Sequence, residues 1–300
     1  MRNLFTALIL AAAAISASAQ QLQVATGSAS GTYATMFKQL AGRCGNSVAL
    51  VEIATTGSQD NMERLVGNQV NAAFVQSDVL YLRARTEDLS NIKTLIALHP
   101  EQVHLLARSS SGIKTGGTMG FGAKEVVLNE LRDLGGRRVG AAGGSTVTAQ
   151  VVRLQSEVPF NVVPMANEAA VRKALDEGAI DAGLFVGGAP LPFIAGLGAE
   201  YKLLSIAPAT VEKLKGVYRP ARLNYSKMGA AGIATVSTDA LFVTRQYKTQ
   251  RMTDGLAKLR SCAFTELDDL KETTGTHPAW QAIETGNKGK WAWYELPSAK

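Results

Sequence analysis

Residues 55–78, TTGSQDNMERLVGNQVNAAFVQSD, decide how the rest of the chain is read. The stretch predicts a Gly-Ser turn, a short helix, a tight loop and a buried strand with a polar end. Ser58 or Asp60 can cap the helix, since a short side-chain oxygen accepts a bond from the free first-turn N–H groups. Met62, Leu65 and Val66 follow at the i, i+3, i+4 spacing of an apolar helix face. Gly67 is expected to close the helix in a left-handed conformation. Residues 70–75 are too apolar for a surface strand, and Gln76-Ser77-Asp78 follow them with hydrogen-bonding groups. Residues 167–190, NEAAVRKALDEGAIDAGLFVGGAP, repeat the plan: Val171, Ala174 and Leu175 mirror the helix, Gly178 the turn and 180–186 the strand. Two similar α/β units, each with polar or Gly-rich groups at a strand's C-terminal end, predict two lobes around one cleft.

Working outward, 300 residues suit one large domain or two ordinary ones, and 46% apolar with 19% charged residues describe a chain able to bury a full core. The net charge of +6 is spread without a Lys/Arg block, which argues against nucleic acid as a partner and allows attraction to an anionic ligand. Residues 1–19 form a leader. Arg2 and an apolar run over 4–15 precede Ala17-Ser18-Ala19, whose small residues predict cleavage before Gln20. The alternative is a retained N-terminal anchor. No Cys stands beside the cleavage site to carry a lipid, so the mature protein is expected to be exported, periplasmic and soluble. Cys44 and Cys262 are the only cysteines, and in an exported protein a pair usually bonds. Such a bond would dock the chain's end on its first helix; two free buried thiols are the alternative.

Gly27-Ser28-Ala29-Ser30-Gly31-Thr32-Tyr33 follows a short strand at 22–26 and opens a helix whose face is Tyr33, Met36, Phe37, Leu40 and Ala41. N–H groups at such a start seat a carboxylate or phosphate; an ordinary β–α connection is the plainer reading. Gly143-Gly144-Ser145-Thr146 repeats the design after a strand at 137–141, so the two turns could face one another across the cleft. Strands are expected at 48–53, 92–98, 103–107, 160–163 and 201–206. His99 is read as a hydrogen-bonding residue in a loop around Pro100. Residues 109–133 read as a surface excursion, with one or two helical turns within 126–134. Residues 211–232 read as an irregular loop returning between lobes, from which Arg219 or Arg222 could reach an anion, solvated surface being the plainer reading for either. Strands at 233–236 and 241–244 are joined by a polar turn, Ser237-Thr238-Asp239. A helical tail carries Met252, Leu256 and Leu259 on one face, and Trp280, Trp291 and Trp293 read as packing residues.

The enzyme classes fit poorly. GGTMGFGAK (116–124) has Ala123 where a phosphate loop needs Lys. Gly27–Gly31 puts its second Ser at the fourth position rather than the third of an esterase elbow. His99 and His104 lie five apart across a proline with no third metal ligand, so neither a metal nor another cofactor is expected. What remains is hydrogen-bonding equipment: small hydroxyls, Gly backbone and amides. That suits a binder rather than an enzyme.

Taken together, TGSASGTY (26–33), residues 55–78, ALHPEQVHLLAR (97–108), LRDLGGRRVGAAGGST (131–146), GAIDAGLFVGGAP (178–190) and TVSTDALFVTR (235–245) resemble the TAXI-type solute receptors of tripartite ATP-independent periplasmic (TRAP) transporters. The resemblance runs in order through nearly the whole mature chain. It implies a two-lobed periplasmic binding protein of the second type. Each lobe would be an α/β sandwich: 20–108 with 233–300 in lobe I, and 109–232 in lobe II with the inter-lobe crossings. It implies a small carboxylate ligand, glutamate- or dicarboxylate-like, delivered by a monomeric receptor to a fused, ion-gradient-driven membrane permease. Carried over by position, Ser28, Gly31, Thr32 and Tyr33 form the first turn, and Gly57, Ser58 and Asn61 the second. Gln76 and Ser77 end the following strand, Ser145 and Thr146 open the second lobe's helix, and Gly188, Ala189 and Pro190 close its strand. Thr32, Tyr33, Ser145 and Thr146 would hold the carboxylate while Asn61 and Gln76 orient the rest, with Asp78 bracing the loop. The sequence departs from the pattern in a long excursion over 115–130, a less Gly-rich GSASG turn and the Arg-bearing 218–225 segment, all of which bear on ligand identity. A sensory receptor of the same fold and a secreted hydrolase are the competing functions.

Overall fold

A computed structural model describes residues 21–116, 122–286 and 289–296; the leader and the centre of GGTMGFGAK lie outside these. The first unit is β1 (Gln21–Ala25), α1 (Thr32–Cys44), β2 (Ala49–Ile53), α2 (Ser58–Val66), β3 (Ala72–Gln76) and α3 (Ser77–Arg83). The chain continues into β4 (Ile92–Arg108) and the short hairpin strands β5 (Lys114–Thr115) and β6 (Lys124–Glu125). The second unit is β7 (Arg138–Ala142), α4 (Gly144–Ser156), β8 (Asn161–Met165), α5 (Glu168–Asp176) and β9 (Ala182–Gly187). There follow α6 (Pro192–Ala195), β10 (Tyr201–Leu203), α7 (Pro208–Leu214), β11 (Arg219–Tyr225) and β12 (Ala230–Arg245). Helices α8 (Gln250–Thr265) and α9 (Leu267–Glu272) follow, and then a 3-10 turn, Pro278–Ala282.

The main sheet runs β2-β1-β3-β12-β4-β9-β7-β8. Its outer thirds are parallel and read alike outward from the centre, 3-1-2 on one side and 9-7-8 on the other. The repeat seen in residues 55–78 and 167–190 is therefore a structural one. β3 and β9 hold equivalent places beside the central pair, and both are nearly wholly buried, as flanked strands require. In the first unit the left-handed residue after α2 is Asn68 (φ 61°), not Gly67; in the second it is Gly178 (φ 70°), as expected. The residue that precedes α2 as its cap is Gly57, with no side-chain bond, and Asp60 instead accepts from the Thr56 N–H at 3.1 Å.

The central pair corrects the sequence reading twice. β4 is one strand of 17 residues rather than two, and β12 one of 16, so His99 sits within a strand and Ser237-Thr238-Asp239 form no turn. Pro100 lacks an N–H, and it stands opposite Asp239, where the β12 register shifts; the missing donor falls at an irregularity already present. β4 and β12 stay paired across it, from Ile92 opposite Arg245 to Gln102 opposite Ser237, while their outer partners change. β12 goes from β3 over 240–244 to β11 over 230–237, and β4 gains β9 over 102–106. Residues 211–232 are not an irregular loop: α7 leads into β11, which pairs antiparallel with β12 as a hairpin. Arg219 ion-pairs with Asp239 and Arg222 donates to the Gly232 carbonyl at 2.9 Å, so neither reaches the site. The helical part of 126–134 is a single 3-10 turn, Leu131–Leu134.

Cys44 and Cys262 are bonded, joining α1 to α8 across 218 residues of sequence. Around the bond, Leu22, Met36, Phe37 and Leu40 share one core cluster with Leu256, Leu259 and Trp280. Trp280 also donates its indole N–H to Gln39 at 2.7 Å. Trp291 and Trp293 are partly buried against the other face of the sheet.

Candidate functional site

The C-terminal ends of β1, β3, β7 and β9 all lead into the space beside the β4–β12 crossing. Open α/β sheets bind ligands at such carboxyl ends, where neighbouring connections diverge. Three helices begin here, α1 after Gly31, α2 after Gly57 and α4 after Gly143, and none has a side-chain cap. Among the described α-helices only α5, which starts elsewhere, is capped, by Asn167 accepting from the Ala170 N–H at 2.9 Å. The starts of α3, α6, α7, α8 and α9 also lack a side-chain cap, so what sets α1, α2 and α4 apart is that their starts lie together. Apart from the Thr146 N–H, which bonds the Gly143 carbonyl at 3.1 Å, their first turns bring N–H groups and the positive ends of three dipoles to one place.

The two units meet at these turns. A Cβ on Gly57 (φ 119°) would lie 3.5 Å from the Gly144 nitrogen, and one on Gly143 (φ 52°) 3.0 Å from the Thr56 carbonyl oxygen. Both glycines are fixed by conformation and by this close approach. Gln76 and Ser58 crowd the same spot, their side chains lying against the Gly144 Cα. Ser58 Oγ accepts from the Gln76 N–H at 3.2 Å. Tyr33 donates to Glu101 Oε2 at 3.1 Å and stacks on Phe74. Burial, then the Glu101 charge, hold its hydroxyl well above the ordinary tyrosine value, so it remains a donor.

His99 and Glu101 come from the crossing itself, with His99 Nε2 3.4 Å from Glu101 Oε1. Both are buried, at 1% and 4% exposure. Gly188 at the end of β9 faces the His99 ring. His277 sits on the far side, Nε2 3.5 Å from Thr32 Oγ1. Its Nδ1 accepts the Ala279 N–H at 3.1 Å, which leaves the proton of the neutral ring on Nε2, toward Thr32. Burial, then the neighbouring His99, hold its pKa below the usual value.

The residues expected at the site therefore divide. Thr32, Tyr33, Gly57, Ser58, Gln76 and Gly188 belong to one cluster, which Gly31 opens. Ser145 is beside it, its Oγ accepting from the Val186 N–H at 3.1 Å, and Thr146 follows half-buried. Asn61 is a brace and not a ligand group. It donates to the Thr26 and Phe74 carbonyls at 3.1 and 2.6 Å and accepts from Thr55, so nothing of its amide is left to orient a solute. Ser77 is likewise spent, on Thr238 at 2.9 Å and the Asp239 N–H at 3.2 Å. Ser28 and Pro190 are exposed. Asp78 braces more than its own loop, taking hydrogen bonds from Thr148 of α4 at 2.6 Å and from Tyr218 at 2.9 Å. Burial pushes its carboxyl up to about 6 against the pull of those two donors.

Glu101, His99 and His277 were not expected to be functional. A signal existed: positions 97, 103, 105 and 107 alternate as buried apolar residues on one side of β4, and His99 and Glu101 fall in the same alternation. His104 looks similar and is not. It donates from Nδ1 to the Gln102 carbonyl at 2.9 Å and meets the Tyr225 hydroxyl at 2.8 Å through Nε2, and burial lowers its pKa to about 4. It is a fixed, neutral part of β4, opposite Phe185 of β9.

Comparison with known proteins bears on the fold. A family model described as the NMT1-like family matches residues 24–288. The protein Tv2483 bound to L-arginine is similar in fold at 13% identity and a TM-score of 0.53, over 88% of this chain and 92% of that one. The GluR0 ligand-binding core from Nostoc punctiforme, in complex with L-glutamate, matches at 14% identity and 0.51, over 87% and 95%. The substrate-binding protein of an amino acid ABC transporter matches at 11% and 0.50, over 84% and 95%. The mixed α/β architecture is that of the type II periplasmic binding proteins.

Proposed function

The chain belongs to the NMT1-like family, and from that premise we propose that it is a solute-binding receptor holding a small carboxylate between the two units of its sheet. One observation carries the reading: three helix N-termini without side-chain caps converge on a cleft lined by Thr32, Tyr33, Ser58 and Ser145. Uncapped N–H groups and three dipole ends are a seat for negative charge, and a carboxylate satisfies both. The relatives bound to L-arginine and L-glutamate support a ligand of amino-acid size.

We assign the finer role by sequence resemblance. The protein acts as a TAXI-type receptor, exported by its 1–19 leader to the periplasm and handing its solute as a monomer to a fused TRAP permease. Its two lobes are 20–108 with 233–300, and 109–232. The change of strand partners at 98–102 of β4 and 237–240 of β12 favours a hinge there, about which the lobes close on the solute.

A thermal-shift screen of the mature protein, stripped of carried ligand by partial unfolding, tests the reading. A carboxylate at 100 times its Kd should stabilise the fold by about 2.7 kcal/mol, a rise of several degrees in Tm. A well-folded sample that responds to no carboxylate, but to a neutral solute, would overturn it.

A further inference from the structure

The helix starts account for a ligand's negative end, but the groups opposite them have the wrong sign for a simple dianion. Glu101 is buried and receives one hydrogen bond from Tyr33. Among the described residues no lysine or arginine pairs with it; the His99 ring stands beside it at 3.4 Å without hydrogen-bond geometry, and the nearby carboxyl of Asp78 only adds negative charge. Both ring nitrogens of His99 lack a hydrogen-bond partner, as does the buried Oε1 of Gln76. A buried polar atom without a partner costs on the order of 1–3 kcal/mol, more for a charged one, so a set of them in one cleft marks what the ligand brings. What is missing is donors. Glu101 and Gln76 Oε1 are acceptors, and a neutral His99 ring offers one further acceptor nitrogen. The Tyr33 hydroxyl is already committed to Glu101, and the basic candidates Arg219 and Arg222 are engaged on Asp239 and Gly232.

We propose that Glu101, with His99 beside it, forms a specificity subsite for a protonated amine, so that the ligand is a zwitterion whose carboxylate lies on the helix starts and whose ammonium lies on the crossing strand. This inference rests on the receptor reading above and narrows it, away from plain dicarboxylates. An ammonium supplies three donors and a positive charge together, matching the acceptors present and neutralising a carboxylate that the protein leaves poorly paired. The subsite stands on β4 at the change of partners, so a bound amine would touch the very residues that join the two units.

The test compares pairs that differ only in the amine, by calorimetric titration of stripped protein: L-glutamate against 2-oxoglutarate and glutarate, and L-alanine, L-leucine and L-arginine against their 2-oxo acids. The expected result is binding confined to amine-bearing members, with the deaminated partner at least about 30-fold weaker, as loss of a buried charge partner predicts. Glu101→Gln should bring a similar loss for the amino acid and narrow the gap to the oxo acid. Tyr33→Phe, which keeps the ring stack, should weaken binding less than Glu101→Gln. Oxo acids or dicarboxylates that bind as well as their amine-bearing partners would overturn the inference and leave the carboxylate receptor standing. Unchanged amino-acid affinity in folded Glu101→Gln would also overturn it. Silence across every acid in wild-type protein would remove both readings. The wild-type comparison decides the matter even if the variant fails to fold.

Discussion

At the scale of single residues, the amides and hydroxyls around the cleft look interchangeable in sequence and are not. Tyr33 and Asn61 show the difference. Tyr33→Phe removes one hydroxyl from a half-buried ring that keeps its stack on Phe74, so Tm should change little while solute affinity falls. Asn61→Ala should do the reverse. It strands the Thr26 and Phe74 carbonyls in a fully buried place and costs roughly 2–4 kcal/mol of stability, read by urea denaturation. A stable Asn61→Ala protein that has merely lost ligand would return this residue to the binding set. The helix-start residues were legible because Gly, Ser and Thr ahead of an apolar helical face mean the same thing in any α/β protein. Asn61 and Ser77 were misjudged because a one-dimensional reading cannot tell an amide aimed at a solute from one aimed at a carbonyl two strands away. Glu101 and His99 were missed because Pro100 reads as a break, and only pairing with an irregular stretch of β12 lets the strand run through it.

At the scale of elements, Asp78 ties α3 to α4 and to Tyr218, and its titration reports that junction. A carboxyl whose folded pKa is about 6 against an ordinary 3.8 holds its proton more tightly in the folded state. Stability is therefore lost as pH rises from about 4 through 6, by about 2–3 kcal/mol in all. His104, lowered to about 4 from 6.5, has the opposite slope, because its unfolded form takes the proton first and stability is lost as pH falls through that window. The two nearly cancel in the wild type. Asp78→Asn removes one and should expose the other, giving a protein relatively stronger than wild type at pH 7 and steeply weaker toward pH 4.5. A variant whose Tm tracks wild type across the whole range would show that Asp78 is not the buried brace described. The Cys44–Cys262 bond acts between α1 and α8. By the chain-entropy argument, closing 218 residues is worth at most about 5 kcal/mol, so reduction should lower Tm on the order of 10 °C. No shift on full reduction would mean that the apolar cluster shared by Leu40, Leu256 and Trp280 docks the tail unaided.

At the scale of the whole molecule, the internal repeat was the most readable feature. VNAAFV and IDAGLFV are both flanked strands, and the symmetric order 2-1-3 and 9-7-8 follows from placing each beside the central pair. The central pair itself was hidden. Its two long strands are polar in their middles, since Thr235, Thr238 and Glu101 are buried with hydrogen-bonded side chains rather than apolar ones, and a buried polar strand reads as a loop. The polar middle is also where the units meet, so the same residues that obscured the fold build the cleft.

The claim at the centre is that the uncapped first turns of α1, α2 and α4 hold the ligand's carboxylate. Backbone hydrogen exchange, measured with and without a saturating carboxylate that shifts Tm, addresses those N–H groups directly. The account predicts at least tenfold slower exchange at residues 32–34, 58–60 and 144–145 on binding, with residues 168–170 at the capped start of α5 unchanged. Protection that spares these turns and gathers elsewhere on the sheet would contradict it.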